Sequence, residues 1–130
     1  MKVGMLRNMD APPKQARFLT YICNHYNWEF FYFTPRDINR RTINGYFLES
    51  GDWIRAETDY PDIIDAPDSI ENDARLLDRL SKFSVVVTNS DHRKISNDFR
   101  TPDDTFFDVM DAESRLKFYH YVFNKSAPHN

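Results

Sequence analysis

Apolar and polar positions follow one another along the chain in blocks that predict strands and helices in turn. Residues 2–6 and 28–33 are dense in apolar or aromatic side chains, which favours buried strands. From residue 13 to residue 27, apolar side chains recur every three or four positions, and this spacing predicts an amphipathic helix. The same patterns predict two more helices over 69–82 and 112–123, and two short strands over 61–65 and 84–88.

A change of pattern in the middle of the chain predicts a β-hairpin. Residues 42–48 and 52–56 flank Glu49-Ser50-Gly51, which favours a turn at Ser50-Gly51. An earlier turn at Asn44-Gly45 is an alternative, so the sequence leaves the register open. The order of elements predicts an α/β fold, an open and mainly parallel sheet with flanking helices and an inserted β-hairpin. Residues 1–123 are assigned to a single domain, and 124–130 to a polar tail or linker.

Composition limits the partners and the compartment. The chain has 130 residues, a net charge of −3 and no strongly basic stretch, so we expect no nucleic acid as partner. Its apolar runs all fall short of the roughly 20 residues that cross a bilayer, so we expect no membrane partner. Cys23 is the single cysteine, which rules out an intramolecular disulfide and favours a cytoplasmic protein.

The sequence lacks the residue spacings that several kinds of reactive site require. Phosphate-binding loops need closely spaced glycines, whereas the three glycines lie far apart at positions 4, 45 and 51. The four histidines are scattered, so no metal site is predicted. Cys23 falls on the apolar face of its helix and is expected to be buried rather than nucleophilic. We therefore predict no catalytic residue, metal or cofactor in this chain, and no complete active site.

Polar residues that directly follow predicted strands form the candidate ligand site. In parallel sheets, ligands bind beyond the carboxyl ends of the strands. Arg36 is the strongest candidate for holding a carboxylate or phosphate, because a guanidinium offers two parallel donors. The alternative is that Arg36 pairs with a nearby carboxylate and only fixes its turn. Asp65 also ends a predicted strand, and the candidate substrate-binding residues are Arg7, Asn8, Asp10, Thr34, Arg36, Asp37, Asn89, Asp91 and His92.

Three pieces of sequence carry a resemblance to a known family. They are TPRD at 34–37, TINGY at 42–46 and PDII at 61–64, in this order and behind an aromatic strand. This arrangement resembles the N-terminal region of the YheC/YheD endospore coat-associated family of the ATP-grasp superfamily, with the close match over residues 29–65. Family members often place an Asn-Arg pair after the last piece, where this chain has Asp65-Ala66-Pro67.

The resemblance implies a Rossmann-like pre-ATP-grasp domain, the N-terminal substrate-side part of an ATP-dependent carboxylate–amine ligase. ATP and magnesium are then implied only for an ATP-grasp core that these residues lack. The implied partners are an ATP-grasp catalytic domain, in cis or in trans, and a small carboxylate or amino-acid substrate; a homo-oligomer stays open. The alternative function is a non-catalytic interaction module that uses an exposed aromatic hairpin, with Tyr46, Phe47, Trp53 and Ile54 as its partner surface.

Overall fold

The computed structural model of this protein describes residues 1–91 and 109–126. Two 3₁₀ turns, Pro35–Asp37 and Asp68–Asn72, lie between the longer elements. The strands and helices are β1 (Lys2–Leu6), α1 (Lys14–His25), β2 (Glu29–Phe33), β3 (Thr42–Glu49), β4 (Asp52–Asp59), β5 (Ile63–Ala66), α2 (Ala74–Ser81), β6 (Val85–Thr88) and α3 (Val109–Ser126).

The strands form one six-stranded sheet in the order β4-β3-β2-β1-β5-β6. Strands β2, β1, β5 and β6 run parallel, and the antiparallel hairpin β3–β4 extends the sheet beyond β2. The predicted α/β fold with an open, mainly parallel sheet and an inserted hairpin is confirmed. The chain leaves β1 toward β2 on one side and leaves β5 toward β6 on the other. The topological switch point, where such sheets bind ligands, therefore lies between β1 and β5.

Alternation along the strands sends side chains to two separate cores. Val3, Met5 and Ile63 pack on the face that α1 and α3 cover, around Leu19 and Leu116. The next residues in each strand face the other way, and Leu6, Ile64 and Phe31 pack there with Ile70 and Leu80. Position 65 shares the phase of Ile63, which places its side chain on the face covered by α3.

The hairpin turn has the backbone conformation that a two-residue connection requires. Ser50 and Gly51 both have positive φ angles, of 50° and 85°, as in a type I′ turn. The predicted turn at Ser50-Gly51 is confirmed, and the alternative turn at Asn44-Gly45 is wrong because both residues lie inside β3. Strand β4 runs to Asp59, three residues beyond its predicted end.

The aromatic side chains of the hairpin are not an open surface. Phe47 stacks on Phe31 with 5.3 Å between ring centroids, and Tyr46 and Trp53 are half-buried against the α1 side of the sheet. Among the four residues expected to form an exposed partner surface, only Ile54 is exposed. The expectation fails because both faces of the hairpin continue the two cores.

Helix α1 ends earlier than predicted and helix α2 begins later than predicted, and helix capping explains both differences. Helix α1 ends at His25 because Asn27 adopts a left-handed φ of 60° and Trp28 N–H bonds back to the carbonyl of Cys23. The predicted helix 69–82 is wrong over residues 69–73: a 3₁₀ turn comes first, and Asp73 then caps α2 by accepting from the Leu76 N–H at 3.1 Å.

Helix α3 is longer than predicted at both ends. It begins at Val109, three residues before its predicted start, and Asp111 is buried within its first turn. It continues to Ser126, three residues past its predicted end and into the predicted tail. Within the described residues, no helix combines the length and the apolar character needed to cross a membrane.

Candidate functional site

A buried carboxylate marks the switch point of the sheet. Asp65, near the end of β5, is fully buried, and Arg7 follows directly after β1. Arg7 Nη2 donates to Asp65 Oδ1 at 3.1 Å, and Arg7 Nη1 donates to the backbone carbonyls of Leu6 and Asp65 at 2.7 and 2.8 Å. One arginine thus joins the two strands between which the connectivity changes direction.

Helix α3 supplies the other half of this network. Arg115 is 4% exposed, and its Nη1 donates to Asp65 Oδ2 at 3.3 Å and to Asn89 Oδ1 at 2.6 Å. Tyr119, one turn further on, donates its hydroxyl hydrogen to the same Oδ2 of Asp65. We call Arg7, Asp65, Arg115 and Tyr119 the switch-point network. It fixes α3 against the sheet through a polar contact inside an apolar interface.

The charges of this network shift two pKa values in opposite directions. Burial by itself raises the pKa of Asp65, but attraction from Arg115 and Arg7 and the hydrogen bonds from Tyr119 and Arg7 outweigh it, so the pKa lies below its usual value. Burial and then the Asp65 charge hold the pKa of Tyr119 well above its usual value. The stable state is therefore an ionised Asp65 beside a neutral Tyr119.

Arg36, the strongest sequence candidate, lies at the rim of this edge. Its Nη2 donates to Asp10 Oδ1 at 2.6 Å, and the two side chains are 79% and 85% exposed. Tyr46 donates to the carbonyl of Asp10 at 3.2 Å from the hairpin side. The structure brings Asp10 and Arg36 together, and it shows the pairing with a nearby carboxylate that the alternative interpretation described.

Thr34 and Asp37 stabilise the 3₁₀ turn that they flank and close. Asp37 Oδ2 accepts from the backbone N–H of Thr34 at 2.8 Å and from its hydroxyl at 3.0 Å, which closes a capping box around Pro35–Asp37. Asp37 Oδ1 accepts from Arg55 Nη2 at 2.6 Å, and the Arg55 guanidinium lies 4.1 Å from the ring centroid of Tyr46. The turn is thereby tied to the hairpin.

The third predicted loop is only partly within the described residues. Asn89 accepts from Arg115, as described above. Asp91 and Thr88 bond reciprocally: Asp91 Oδ2 accepts from the Thr88 N–H at 2.9 Å, and Thr88 Oγ1 accepts from the Asp91 N–H at 3.1 Å. His92 lies outside the described residues. Asn89 is therefore joined to the switch-point network, whereas Asp91 stabilises its own turn.

A small cavity opens at the same edge, on the sheet face opposite to α3. Its volume is about 220 Å³, and Asn8 is the one predicted site residue among its lining. The walls come from the ends of β1, β2 and β5 and from the start of α2, so the cavity lies across the switch point. We call it the switch-point cavity; it is lined by Leu6, Asn8, Pro35, Pro67, Ser69, Ile70, Asp73 and Leu76.

Two other features of the described chain bear on reactivity. Cys23 is fully buried, and desolvation raises the pKa of its thiol to about 12, so it is not a nucleophile at neutral pH. Over residues 1–91 and 109–126, the structure contains no group of three or more His, Cys, Asp or Glu side chains arranged to hold a metal ion.

A larger groove of about 390 Å³ lies between the end of α1 and α3, lined in part by Trp28, Lys117 and His120.

Sequence reasoning missed Arg115, Tyr119 as a polar partner, and Arg55. The available signal was the position of Arg115 between Ala112 and Tyr119 on the apolar stripe of α3, where a charged residue requires a buried partner.

Comparisons with protein-family models, with curated proteins and with solved structures found no match to this chain.

Proposed function

We propose that this chain is a pre-ATP-grasp-type domain, the N-terminal substrate-side part of an ATP-dependent carboxylate–amine ligase. The observation that carries the proposal is that the first two of the three resembling pieces are joined in the folded chain by Arg55, which donates to Asp37 Oδ1 at 2.6 Å and to the Asn44 carbonyl at 3.2 Å. The turn at Pro35–Asp37 is tied to the hairpin through Asp37 and Arg55, and the Pro61 to Ile64 piece leads to Asp65 at the switch point. The sheet order and the inserted hairpin agree with the Rossmann-like layer that the resemblance implies.

The chemistry of the site supports a binding role rather than a reaction. Asp65 has two cationic neighbours, Asp37 is paired with Arg55, and Asp10 is paired with Arg36. A general acid or base needs a pKa near the working pH, whereas Asp65 and Tyr119 are shifted away from neutrality. In the proposed ligase, this domain orients a substrate and a second domain carries the reacting groups.

ATP does not fit the described residues. The switch-point cavity, at about 220 Å³, is smaller than the roughly 300–1,000 Å³ of sites for drug-sized ligands, and its lining contains no basic side chain. The groove between α1 and α3 offers Lys117 but also Glu113, which would repel a triphosphate. We therefore assign ATP and magnesium to an ATP-grasp core in cis or in trans, and we place the assembly in the cytoplasm.

The proposal is tested by the genetic neighbourhood together with a binding measurement. The reading frame after codon 130, or an adjacent gene, is expected to encode an ATP-grasp core. Calorimetric titration of the chain with ATP and magnesium is expected to show no binding at micromolar concentrations, while the chain joined or mixed with that core binds ATP. The proposal is wrong if no such core is encoded nearby, or if the chain binds ATP tightly by itself.

A further inference from the structure

The switch-point cavity differs from the rest of this sheet edge in having polar groups that nothing in the described chain uses. The Asn8 amide and the Ser69 hydroxyl make no hydrogen bond to any described residue, and both are exposed. Asp73 uses Oδ1 to cap α2, and its Oδ2 has no described partner. Around the rim, by contrast, Arg36 and Asp37 are already paired within the chain.

The shape of the cavity suits a short apolar body. Five of its eight lining residues are aliphatic or proline, including Leu6, Ile70 and Leu76. An apolar wall with a few converging polar groups is the usual construction of a small-molecule site. With a volume of about 220 Å³, the cavity suits a small organic molecule better than a nucleotide.

The charge of the lining residues determines which charged group of a ligand the cavity favours. Asp73 is the one charged residue among the described lining, and the exposed Glu71 lies two positions before it. A carboxylate or a phosphate would be repelled by Asp73, whereas an ammonium would donate a charge-assisted hydrogen bond to it.

We infer that the switch-point cavity binds a small primary amine with a short aliphatic body, its ammonium held by Asp73 and its polar substituents by Asn8 and Ser69. The biological assignment rests on the proposed function: in a carboxylate–amine ligase, this cavity holds the amine-side substrate. The binding chemistry itself follows from the cavity and holds without that assignment.

The test uses the full 130-residue chain and two probes of similar size and opposite charge. Isobutylammonium and isobutyrate are titrated separately while amide chemical shifts are recorded by nuclear magnetic resonance. We expect isobutylammonium to shift the amides of Asn8, Ser69 and Asp73 in a saturable manner. Isobutyrate is expected to leave those amides unchanged at the same concentrations.

Two variants separate the carboxylate charge from the fold. Asp73→Asn keeps a good helix cap but removes the charge, and it is expected to weaken isobutylammonium binding roughly tenfold. Asp78→Asn removes an exposed carboxylate from the same helix and is expected to leave binding unchanged. Equal binding of both probes by the wild-type chain, shifts confined to other surfaces, or no saturable shift would overturn the inference whether or not the variants fold.

The outcome also distinguishes this inference from the proposed function. If an ATP-grasp core is encoded nearby but the amine probe does not bind in the cavity, only the inference fails. If the amine binds and no ligase core exists, the inference stands and the ligase assignment fails.

Discussion

Tyr119 donates a hydrogen bond to Asp65 across 54 positions of sequence, and both side chains are fully buried. The bond joins the middle of α3 to the end of β5 at the point where the sheet changes direction. Apolar packing alone allows a helix to slide or rotate on a sheet, because it has no directional requirement. A buried hydrogen bond to an ionised partner is directional, so this contact sets the position of α3 relative to Arg7 and Arg115.

Removing the Asp65 charge is expected to destabilise the fold strongly. Asp65→Asn leaves Arg7 and Arg115 largely buried without a carboxylate between them, which typically costs about 3–5 kcal/mol. Urea unfolding followed by circular dichroism measures the change. Asp78→Asn, on the exposed side of α2, serves as control and is expected to stay within about 0.5 kcal/mol of wild type. A loss below about 1 kcal/mol for Asp65→Asn would show that the network does not hold the fold together.

The lowered pKa of Asp65 predicts a dependence of stability on acid. A carboxyl whose pKa is lower in the folded than in the unfolded state contributes stability above its unfolded pKa, which is about 3.9. That contribution is lost as the pH falls from about 4 toward the folded pKa. The difference in unfolding free energy between wild type and Asp65→Asn, measured by urea titration at several pH values, should be constant near neutrality and shrink below about pH 4. A difference that does not change with pH would contradict the assigned ionisation.

The fold followed from the sequence because its signals are local. Strand periodicity, the Ser50-Gly51 turn and the alternation of strands with helices act within a few residues of each other, and each appears where expected. The sequence also predicted that polar residues after parallel strands meet at one edge of the sheet, and Arg7 and Asn89 do so. It could not tell which polar groups are already paired, because Arg36 meets Asp10 only through the folded sheet. Arg115 was missed because its partner lies 50 positions away.

The Arg36 and Asp10 pair is expected to contribute little to stability. Both side chains are mostly exposed, and exposed ion pairs typically contribute about 0.2–1 kcal/mol. Arg36→Ala, Asp10→Ala and the double variant, each unfolded in urea, form a double-mutant cycle. We expect a coupling energy below about 1 kcal/mol that decreases further in high salt. A salt-independent coupling above about 2 kcal/mol would mean that this pair is a structural clamp.

Two glycines of the hairpin are expected to respond differently to alanine. A Cβ at Gly45 would lie 2.6 Å from Cδ2 of Phe31, whose ring is buried and stacked on Phe47. Gly45→Ala is therefore expected to cost about 1–3 kcal/mol through overpacking. Gly51 has open space around its Cβ position but a φ of 85°, so Gly51→Ala should cost about 1 kcal/mol or more through backbone strain alone. Thermal unfolding of both variants provides the comparison, and a Gly45→Ala variant as stable as wild type would contradict the close contact.

Cys23 is expected to be protected from thiol reagents for as long as the chain is folded. Its side chain is fully buried and its thiol pKa is about 12, chiefly because burial desolvates the thiolate. At about pH 8, roughly one thiol in ten thousand is then ionised in the folded state, against roughly one in four in an unfolded chain. Reaction with a disulfide reagent, followed by absorbance, should be at least about a thousandfold slower in buffer than in concentrated urea. Because the pKa is raised on folding, the thiol contributes stability that is lost as the pH rises from about 8.5 toward 12, and Cys23→Ala should remove this part of the alkaline loss. Labelling of the folded chain at a rate within tenfold of the unfolded chain would show that α1 opens readily and that the core on its side of the sheet is loosely held.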